Sequence, residues 1–221
     1  MRPESLQRFE LVIFDCDGVL VDSEPISNRV LAECLSEIGL PTTLEDSLRD
    51  YKGHSWPECV ARFEARLGSP LPESFGARFY RRAIAAFERE LVAVPGIHDA
   101  LARIPTPTCV ASNGRHATMQ VTLGRTQLLK RFAGRIFSSS DVARPKPFPD
   151  LFLHAAERMG VEPVRCAVVE DSARGVAAGV TAGMTVFGYA ALEDAGQLAA
   201  AGARVFRDMR ALPELLGFGV E

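Results

Sequence analysis

The sequence has little of what marks membrane, nucleic-acid-binding or secreted proteins. No apolar run approaches the roughly 18 residues that span a bilayer, and the first residues, MRPESLQRFE, contain no apolar stretch of signal-peptide length. The 25 basic and 28 acidic residues give a formal net charge of −3, so there is no excess of positive charge to attract nucleic acid. We therefore expect a cytoplasmic protein that binds neither nucleic acid nor membranes.

Cysteine and histidine are also sparse. The five cysteines are odd in number, scattered and mostly within apolar runs, which favours buried reduced thiols over a disulfide framework. His98, His116 and His154 fall on predicted helices without the spacing of metal ligands, and we interpret them as structural. The sequence therefore predicts no zinc site.

What the chain does have is an alternation of short apolar runs and helical segments. The 221 residues are 47% apolar, enough for a sizeable core. Predicted strands end at Phe14 and cover 108–111, 135–138, 166–169, 184–187 and 203–206. Helices are predicted between most of them, including one that ends at about Leu129, one over Phe148–Met159 and one over Leu192–Ala200. Such alternation indicates right-handed βαβ units. The predicted fold class is α/β, with a Rossmann-like parallel sheet flanked by helices.

Residues 23–91 interrupt this alternation with a helical period. Apolar residues recur every three or four positions from Ile26 to Ile38, and Ser55-Trp56-Pro57-Glu58 is a capping-box pattern that predicts another helix start. A further helix is predicted over about 72–90. We therefore predict a discontinuous α/β core, residues 1–22 and 93–221, with residues 23–92 inserted as an α-helical cap domain.

Polar residues follow four of the predicted strands. In the stretch FELVIFDCDGVLVDS, Asp15 and Asp17 are two residues apart, so strand periodicity puts both on one face and turns Cys16 away. Gly18 then allows a turn close to a ligand. The later strands end at Ser112-Asn113-Gly114, before Lys146, and at Glu170-Asp171. Ligands of open parallel sheets bind at the carboxyl ends of the strands, so we expect these groups to meet there.

The residue types predict phosphoryl-transfer chemistry. Four carboxylates in one crevice, from Asp15, Asp17, Glu170 and Asp171, repel one another unless a cation lies among them, and an all-oxygen ligand set favours Mg²⁺ over Zn²⁺. An anion pocket is predicted from Ser112, the backbone amides of Asn113 and Gly114 at a helix start, and Lys146. A metal flanked by carboxylates and an anion pocket is typical of such a site.

The ordered set DCDGVLVDSE, SNG, RPKPFPD and VVEDSARG resembles the four motifs of the haloacid dehalogenase superfamily. The resemblance extends from Phe9 to about Phe187 and is to the phosphatase and phosphomutase branch, in which a helical cap follows the first motif. Within that branch, TCVASNG, MQVTLGRTQLL and LFLHAAERMGV resemble bacterial phosphatases of the 6-phosphogluconate phosphatase type.

The resemblance implies a role for each matched residue. Asp15 would be the nucleophile that forms an aspartyl-phosphate, and Asp17 the general acid and then the base. The implied phosphoryl-binding residues are Ser112, Asn113 and Lys146, and the implied Mg²⁺ ligands are Asp15, the Asp17 backbone carbonyl, Glu170 and Asp171. Dehalogenation is not expected, because the dehalogenases generally lack an acid where this chain has Asp17. Pro145 departs from the glycine of many relatives and should stiffen the loop.

The cap loop is the predicted source of substrate selection. Lys52, His54 and Trp56 are candidate substrate-binding residues there, although the same stretch also fits a helix end, a glycine turn and the next helix start. We expect a monomer or weak homo-oligomer that hydrolyses a small phosphorylated metabolite, such as a sugar phosphate or sugar-acid phosphate.

Two alternatives stay open at this point. A phosphohexomutase would share the core, but the histidine and arginine of such mutases align approximately with Ser27 and Trp56 here. A phospho-accepting, receiver-like signalling module would share the sheet, the acids and the lysine, although the large insert and Asp17 argue against it.

Overall fold

The computed structural model describes residues 9–51, 54–191 and 195–218. The chain divides into two compact units, one made of Met1–Val21 and Ala93–Glu221 and the other of Asp22–Val92.

The second unit is helical. Its helices are α1 (Glu24–Glu37), α2 (Leu44–Tyr51), α3 (Trp56–Leu67) and α4 (Phe75–Glu90). Helix α3 starts as its sequence predicts: Ser55 Oγ accepts the Glu58 backbone N–H at 3.4 Å, and Glu58 Oε2 accepts the Ser55 N–H at 2.6 Å. These two bonds satisfy backbone donors that the first helical turn leaves without partners.

The first unit contains a six-stranded parallel sheet in the order β3-β2-β1-β4-β5-β6, which confirms the predicted α/β fold. Its strands are β1 (Leu11–Phe14), β2 (Thr108–Ser112), β3 (Ile136–Ser138), β4 (Cys166–Glu170), β5 (Thr185–Tyr189) and β6 (Arg204–Phe206). Every residue of β1, β2 and β4 is buried, as the apolar residues at their centres indicate for strands covered on both faces.

Helices of the same unit cover this sheet. They are α5 (Ile97–Arg103), α6 (His116–Arg125), α7 (Asp150–Met159), α8 (Ala173–Thr181), α9 (Ala195–Ala200) and α10 (Leu212–Leu215). Leu151 and Phe152 of α7 and Val176 of α8 belong to one buried apolar cluster with Leu11 and Ile13 of β1. Burial of these side chains holds the central strands against the helices.

Helix ends differ from the sequence-based bounds at two places. Helix α6 ends at Arg125 rather than near Leu129, because Gln127 has a left-handed backbone with φ of 63° that an α-helix cannot continue. Helix α7 begins at Asp150, directly after Pro149, rather than at Phe148. The predicted start of the α9 helix at Leu192 lies outside the described residues.

The structure also describes the cysteines and the apolar character of the helices. All five cysteines are buried and free, as expected. Among the residues that the structure describes, no helix combines the length and the apolar character needed to cross a membrane.

Candidate active site

The sheet brings the ends of three strands together. Strand β1 pairs with β2 on one side and with β4 on the other, and Phe14 at its carboxyl end is level with Val110 and Val169. Asp15 continues this pairing, since its backbone N–H donates to the Val169 carbonyl at 2.9 Å. Asp15, the end of β2 and Glu170 at the end of β4 therefore lie at one edge of the sheet.

Lys146 is the buried cation of this edge. Its Nζ lies 2.6 Å from Asp15 Oδ1 and 2.7 Å from Glu170 Oε1, and only 4% of its side chain is exposed. The same Nζ lies 4.5 Å from the centroid of the Phe152 ring. The structure thus brings three sequence-predicted residues, far apart in the chain, into one buried ionic cluster.

The loop that carries Lys146 is tied to the loop after β2. The Lys146 backbone N–H donates to Asn113 Oδ1 at 3.1 Å, and Asn113 Nδ2 donates to the Lys146 carbonyl at 3.2 Å. The Asn113 side chain therefore positions the backbone of Lys146. The pair of bonds fixes where the ammonium group enters the cluster.

The Ser112-Asn113-Gly114 loop is held by serine side chains. Ser112 Oγ accepts the Gly114 N–H at 3.0 Å, so this amide, predicted to face an anion, has a partner within its own loop. Ser138 Oγ donates to the Gly114 carbonyl at 2.7 Å, and Ser139 Oγ donates to the Asn113 carbonyl at 2.9 Å. The loop backbone is thus hydrogen-bonded to the last residue of β3 and to the residue that follows it.

Asp17 and Gly18 lie beside these groups. A Cβ added to Gly114 would be 3.5 Å from Asp17 Oδ2, which places the Asp17 carboxylate next to the Ser112 loop. Gly18 has φ of 79°, and a Cβ there would be 2.0 Å from Asp171 Oδ2, so only glycine fits. Cys16 is buried and its Sγ is 3.9 Å from Thr122 Oγ1, in keeping with the predicted alternation.

Three carboxylates form a candidate metal site. Ligand oxygens of Asp15, Glu170 and Asp171 all lie within 4.8 Å of one another. Among the residues described, the Asp17 side chain is not part of this cluster. The structure thus brings together the three side chains that the resemblance implies as metal ligands.

Ser172 binds the Glu170 carboxylate and Gly175 leaves room for it. The sequence pattern predicted no role for either residue. The Ser172 N–H and Oγ donate to Glu170 Oε2 at 3.0 and 2.9 Å, and Ser172 Oγ also caps α8 by accepting the Gly175 N–H at 3.1 Å. A Cβ on Gly175 would lie 1.8 Å from Glu170 Oε1. The sequence feature that could have indicated these contacts is the serine and the glycine that closely follow the acids in EDSARG.

Burial is the main influence on the ionisation of the Asp15 carboxyl group. Burial raises the pKa of the Asp15 carboxyl group to about 7, with Glu170 adding to the rise and Lys146 opposing it. Burial lowers the pKa of Lys146, but the charges of Asp15 and Glu170 raise it above its ordinary value. A carboxyl group that resists ionisation among other acids fits a site completed by a further cation.

The predicted cap residues belong to the helical unit. Trp56 stacks on Phe79 with ring centroids 5.3 Å apart and on Phe75 at 6.3 Å, and 41% of the residue is exposed. The His54 N–H donates to the Tyr51 carbonyl at 3.2 Å. Lys52 lies outside the described residues. The structure thus shows Trp56 as a partly exposed member of an aromatic cluster.

Comparison with known proteins adds independent findings. Residues 9–183 match the haloacid dehalogenase-like hydrolase family. The chain is 35% identical over 211 residues to the 6-phosphogluconate phosphatase of Escherichia coli (strain K12), covering 95% of this chain and 96% of that protein.

Two crystal structures are similar over nearly their whole length. A conserved haloacid dehalogenase-like protein of Agrobacterium tumefaciens str. C58 has a TM-score of 0.85 at 36% identity, covering 95% of this chain and 98% of its own. A haloacid dehalogenase family hydrolase of Deinococcus radiodurans R1, with bound phosphate and sodium, has a TM-score of 0.79 at 30% identity, covering 96% and 98%.

The matched residues, 9–183, include all four motifs and the three carboxylates of the acidic cluster, Asp15, Glu170 and Asp171. It favours an enzyme over the receiver-like signalling module. The chain belongs to the haloacid dehalogenase-like hydrolases, and within that family it is a phosphoric monoester hydrolase.

Proposed function

We propose that this enzyme is a Mg²⁺-dependent phosphatase that hydrolyses a phosphorylated sugar or sugar acid through a phospho-Asp15 intermediate. The observation that carries the proposal is the 2.6 Å contact between Lys146 Nζ and Asp15 Oδ1 at the end of β1. A carboxylate held beside a fixed cation is suited to attack on a phosphate monoester, because the cation offsets charge on the phosphoryl oxygens.

The first step transfers the phosphoryl group to the protein. A carboxylate oxygen of Asp15 attacks phosphorus, the bond from phosphorus to the sugar oxygen breaks, and Asp17 donates a proton to that oxygen. Lys146 and Ser112 hold the phosphoryl oxygens during transfer. The products of this step are the free sugar and the aspartyl-phosphate.

The second step releases phosphate. Water attacks the phosphorus atom, Asp17 takes a proton from that water, and the bond from phosphorus to the Asp15 oxygen breaks. Orthophosphate leaves and the Asp15 carboxylate is restored. The position of the Asp17 carboxylate beside Gly114 supports its roles as general acid in the first step and general base in the second.

The residues that would hold Mg²⁺ are Asp15, Glu170, Asp171 and the Asp17 backbone carbonyl. The three clustered carboxylates support a divalent cation, and their oxygen atoms suit Mg²⁺. When bound, the ion supplies positive charge that stabilises the transferring phosphoryl group.

The substrate class rests on the relatives. The Escherichia coli protein that is 35% identical over nearly the whole chain is named a 6-phosphogluconate phosphatase. We assign catalysis to the α/β unit and choice of the leaving group to the helical unit, residues 23–92, with Lys52, His54 and Trp56 as candidate substrate contacts. The partial exposure of Trp56, 41% of the residue, supports this assignment.

The phosphohexomutase alternative has less support. Holding a sugar bisphosphate requires a second phosphate grip, and the indole of Trp56, stacked on Phe79, offers no bidentate guanidinium for it. Incubation with β-glucose 1-phosphate and a trace of glucose 1,6-bisphosphate separates the two activities. We expect free phosphate, whereas rapid formation of glucose 6-phosphate with little phosphate release would establish the mutase.

The main test is a phosphate-release screen. With Mg²⁺, a panel of phosphorylated sugars, sugar acids and unrelated monoesters should show turnover concentrated in the first two groups, and EDTA should abolish it until Mg²⁺ is restored. Mass spectrometry of the Asp17→Asn variant after exposure to an activated phosphate ester should show a phosphorylated protein. Full activity in EDTA, or no adduct under any condition, would reject the metal or the two-step mechanism respectively.

A further inference from the structure

A groove of about 790 Å³ lies beside β3, an edge strand of the sheet. Helix α6, the segment from Leu129 to Ile136 and helix α7 contribute to its lining. None of the residues of the acidic cluster around Lys146 lines it. Its volume falls in the range of small-molecule sites, about 300–1,000 Å³.

The lining is rich in cations and imidazoles. It includes Lys130 and Arg158 from different elements, His116 and His154, and one carboxylate, Asp141. In the part of the chain that the structure describes, neither Lys130 nor Arg158 forms an ion pair with an acidic side chain. Two basic side chains that line the groove therefore have no acidic partner among the described residues.

The single carboxylate of the groove is already engaged. Asp141 Oδ1 and Oδ2 each lie 2.9 Å from His116 Nε2, and Oδ2 also accepts the Ser138 backbone N–H at 2.8 Å. These contacts hold Asp141 against the wall formed by α6 and β3. Asp141 therefore contacts His116 and not Lys130 or Arg158 among the described residues. Both basic side chains can bind an external anion.

The surrounding sequence reinforces this charge. The stretch 115–135 contains five arginine or lysine residues and no acidic residue, in a chain whose net charge is −3. An apolar wall is also present: the ring of His154 packs edge-on against Phe137, with centroids 5.5 Å apart and planes at 89°. The packing fixes the imidazole while leaving the residue only partly buried.

We infer that this groove is a binding site for a small organic polyanion. Lys130 and Arg158 are the charge partners, because a guanidinium and an ammonium group both bind carboxylate or phosphate oxygens. His154 supplies a positioned hydrogen-bonding group, and Phe137 contacts the apolar part of the ligand. The site is separate from catalysis, so it holds whether or not the proposed phosphatase substrate is correct.

Histidine signals offer a direct test, since the chain has four histidines. His116 and His154 line the groove, whereas His98 does not and serves as the internal control. Tricarballylate, a carboxylate probe, and inorganic pyrophosphate, a phosphate probe, are titrated separately at constant pH and ionic strength. Imidazole ¹H–¹⁵N spectra, assigned with single His→Gln variants, follow binding.

We expect saturable shifts of the His116 and His154 signals, with the His98 signal unchanged. Lys130→Gln and Arg158→Gln should each raise the dissociation constant about tenfold, the loss of one charge-assisted contact. Arg81→Gln, an equal charge change on helix α4, should leave it unchanged. The probe with the lower dissociation constant identifies the anionic group.

Three outcomes would overturn the inference. One is the absence of saturable shifts with both probes. Another is equal movement of all four histidine signals, which indicates a general salt effect. The third is binding that survives both Lys130→Gln and Arg158→Gln unchanged, because the two cations would then not face the ligand.

Discussion

Replacing Gly175 with alanine tests how Glu170 is held. The new Cβ would lie 1.8 Å from Glu170 Oε1, and ordinary contact begins only at 3.4 Å. The Glu170 carboxylate must therefore move away from helix α8. That movement breaks its 2.7 Å contact with Lys146 and its 2.9 Å bond from Ser172 Oγ.

The expected size follows from two opposing effects. Breaking a buried ion pair costs about 3–5 kcal/mol, while alanine favours a helix over glycine by about 1 kcal/mol. We therefore expect Gly175→Ala to lower the free energy of unfolding by about 2–4 kcal/mol. The Mg²⁺ concentration for half-maximal activity should rise about 10- to 100-fold, as when a group that orients a metal ligand is lost.

Gly124→Ala is the matched control. Gly124 also lies in a helix, and the nearest atom to its added Cβ is Leu129 Cδ2 at 3.9 Å, so no group must move. It should stabilise the protein by about 0.5–1 kcal/mol and leave the Mg²⁺ requirement unchanged. Urea unfolding in EDTA and Mg²⁺ titration of phosphate release give both quantities. A Gly175→Ala protein as stable as Gly124→Ala, with normal Mg²⁺ dependence, would refute the reasoning.

Three further substitutions test separate parts of the structure. Asp15→Asn should keep the fold by circular dichroism but reduce phosphate release by several orders of magnitude, since the nucleophile is lost; more than a few per cent of residual activity would contradict that role. Ser138→Ala removes the bond to the Gly114 carbonyl and should raise the KM for substrate a few-fold, about 1 kcal/mol, whereas the neighbouring Ser140→Ala should not. Ser55→Ala removes the capping box of α3 and should cost about 1 kcal/mol in urea unfolding, while Ser74→Ala, at a cap without a side-chain hydrogen bond, should cost less; equal losses would show that the box contributes nothing.

Local pattern was sufficient for much of the fold. The apolar runs of β1, β2 and β4 predicted buried parallel strands, because a strand covered on both faces needs apolar side chains throughout. Ser55 and Glu58 predicted the start of α3 from their spacing alone. Residues at the carboxyl ends of parallel strands must share an edge, so Asp15 and Glu170 were predictable as neighbours.

Side-chain partners across long separations were not predictable in this way. Lys146 lies 131 residues from Asp15 in the chain, and its 2.6 Å contact depends on the loop that Asn113 fastens. The clash that reserves position 175 for glycine exists only because the Glu170 carboxylate turns toward helix α8.

The sequence by itself determined the strands, the parallel sheet and the acids at its edge, since these follow from the period of apolar residues and from chain connectivity. The tertiary structure alone decided that Asn113 supports Lys146, that Gly114 donates to Ser112, and that Lys130 and Arg158 line one groove. Such contacts depend on the rotamers and packing of residues distant in the chain, which a local pattern does not encode.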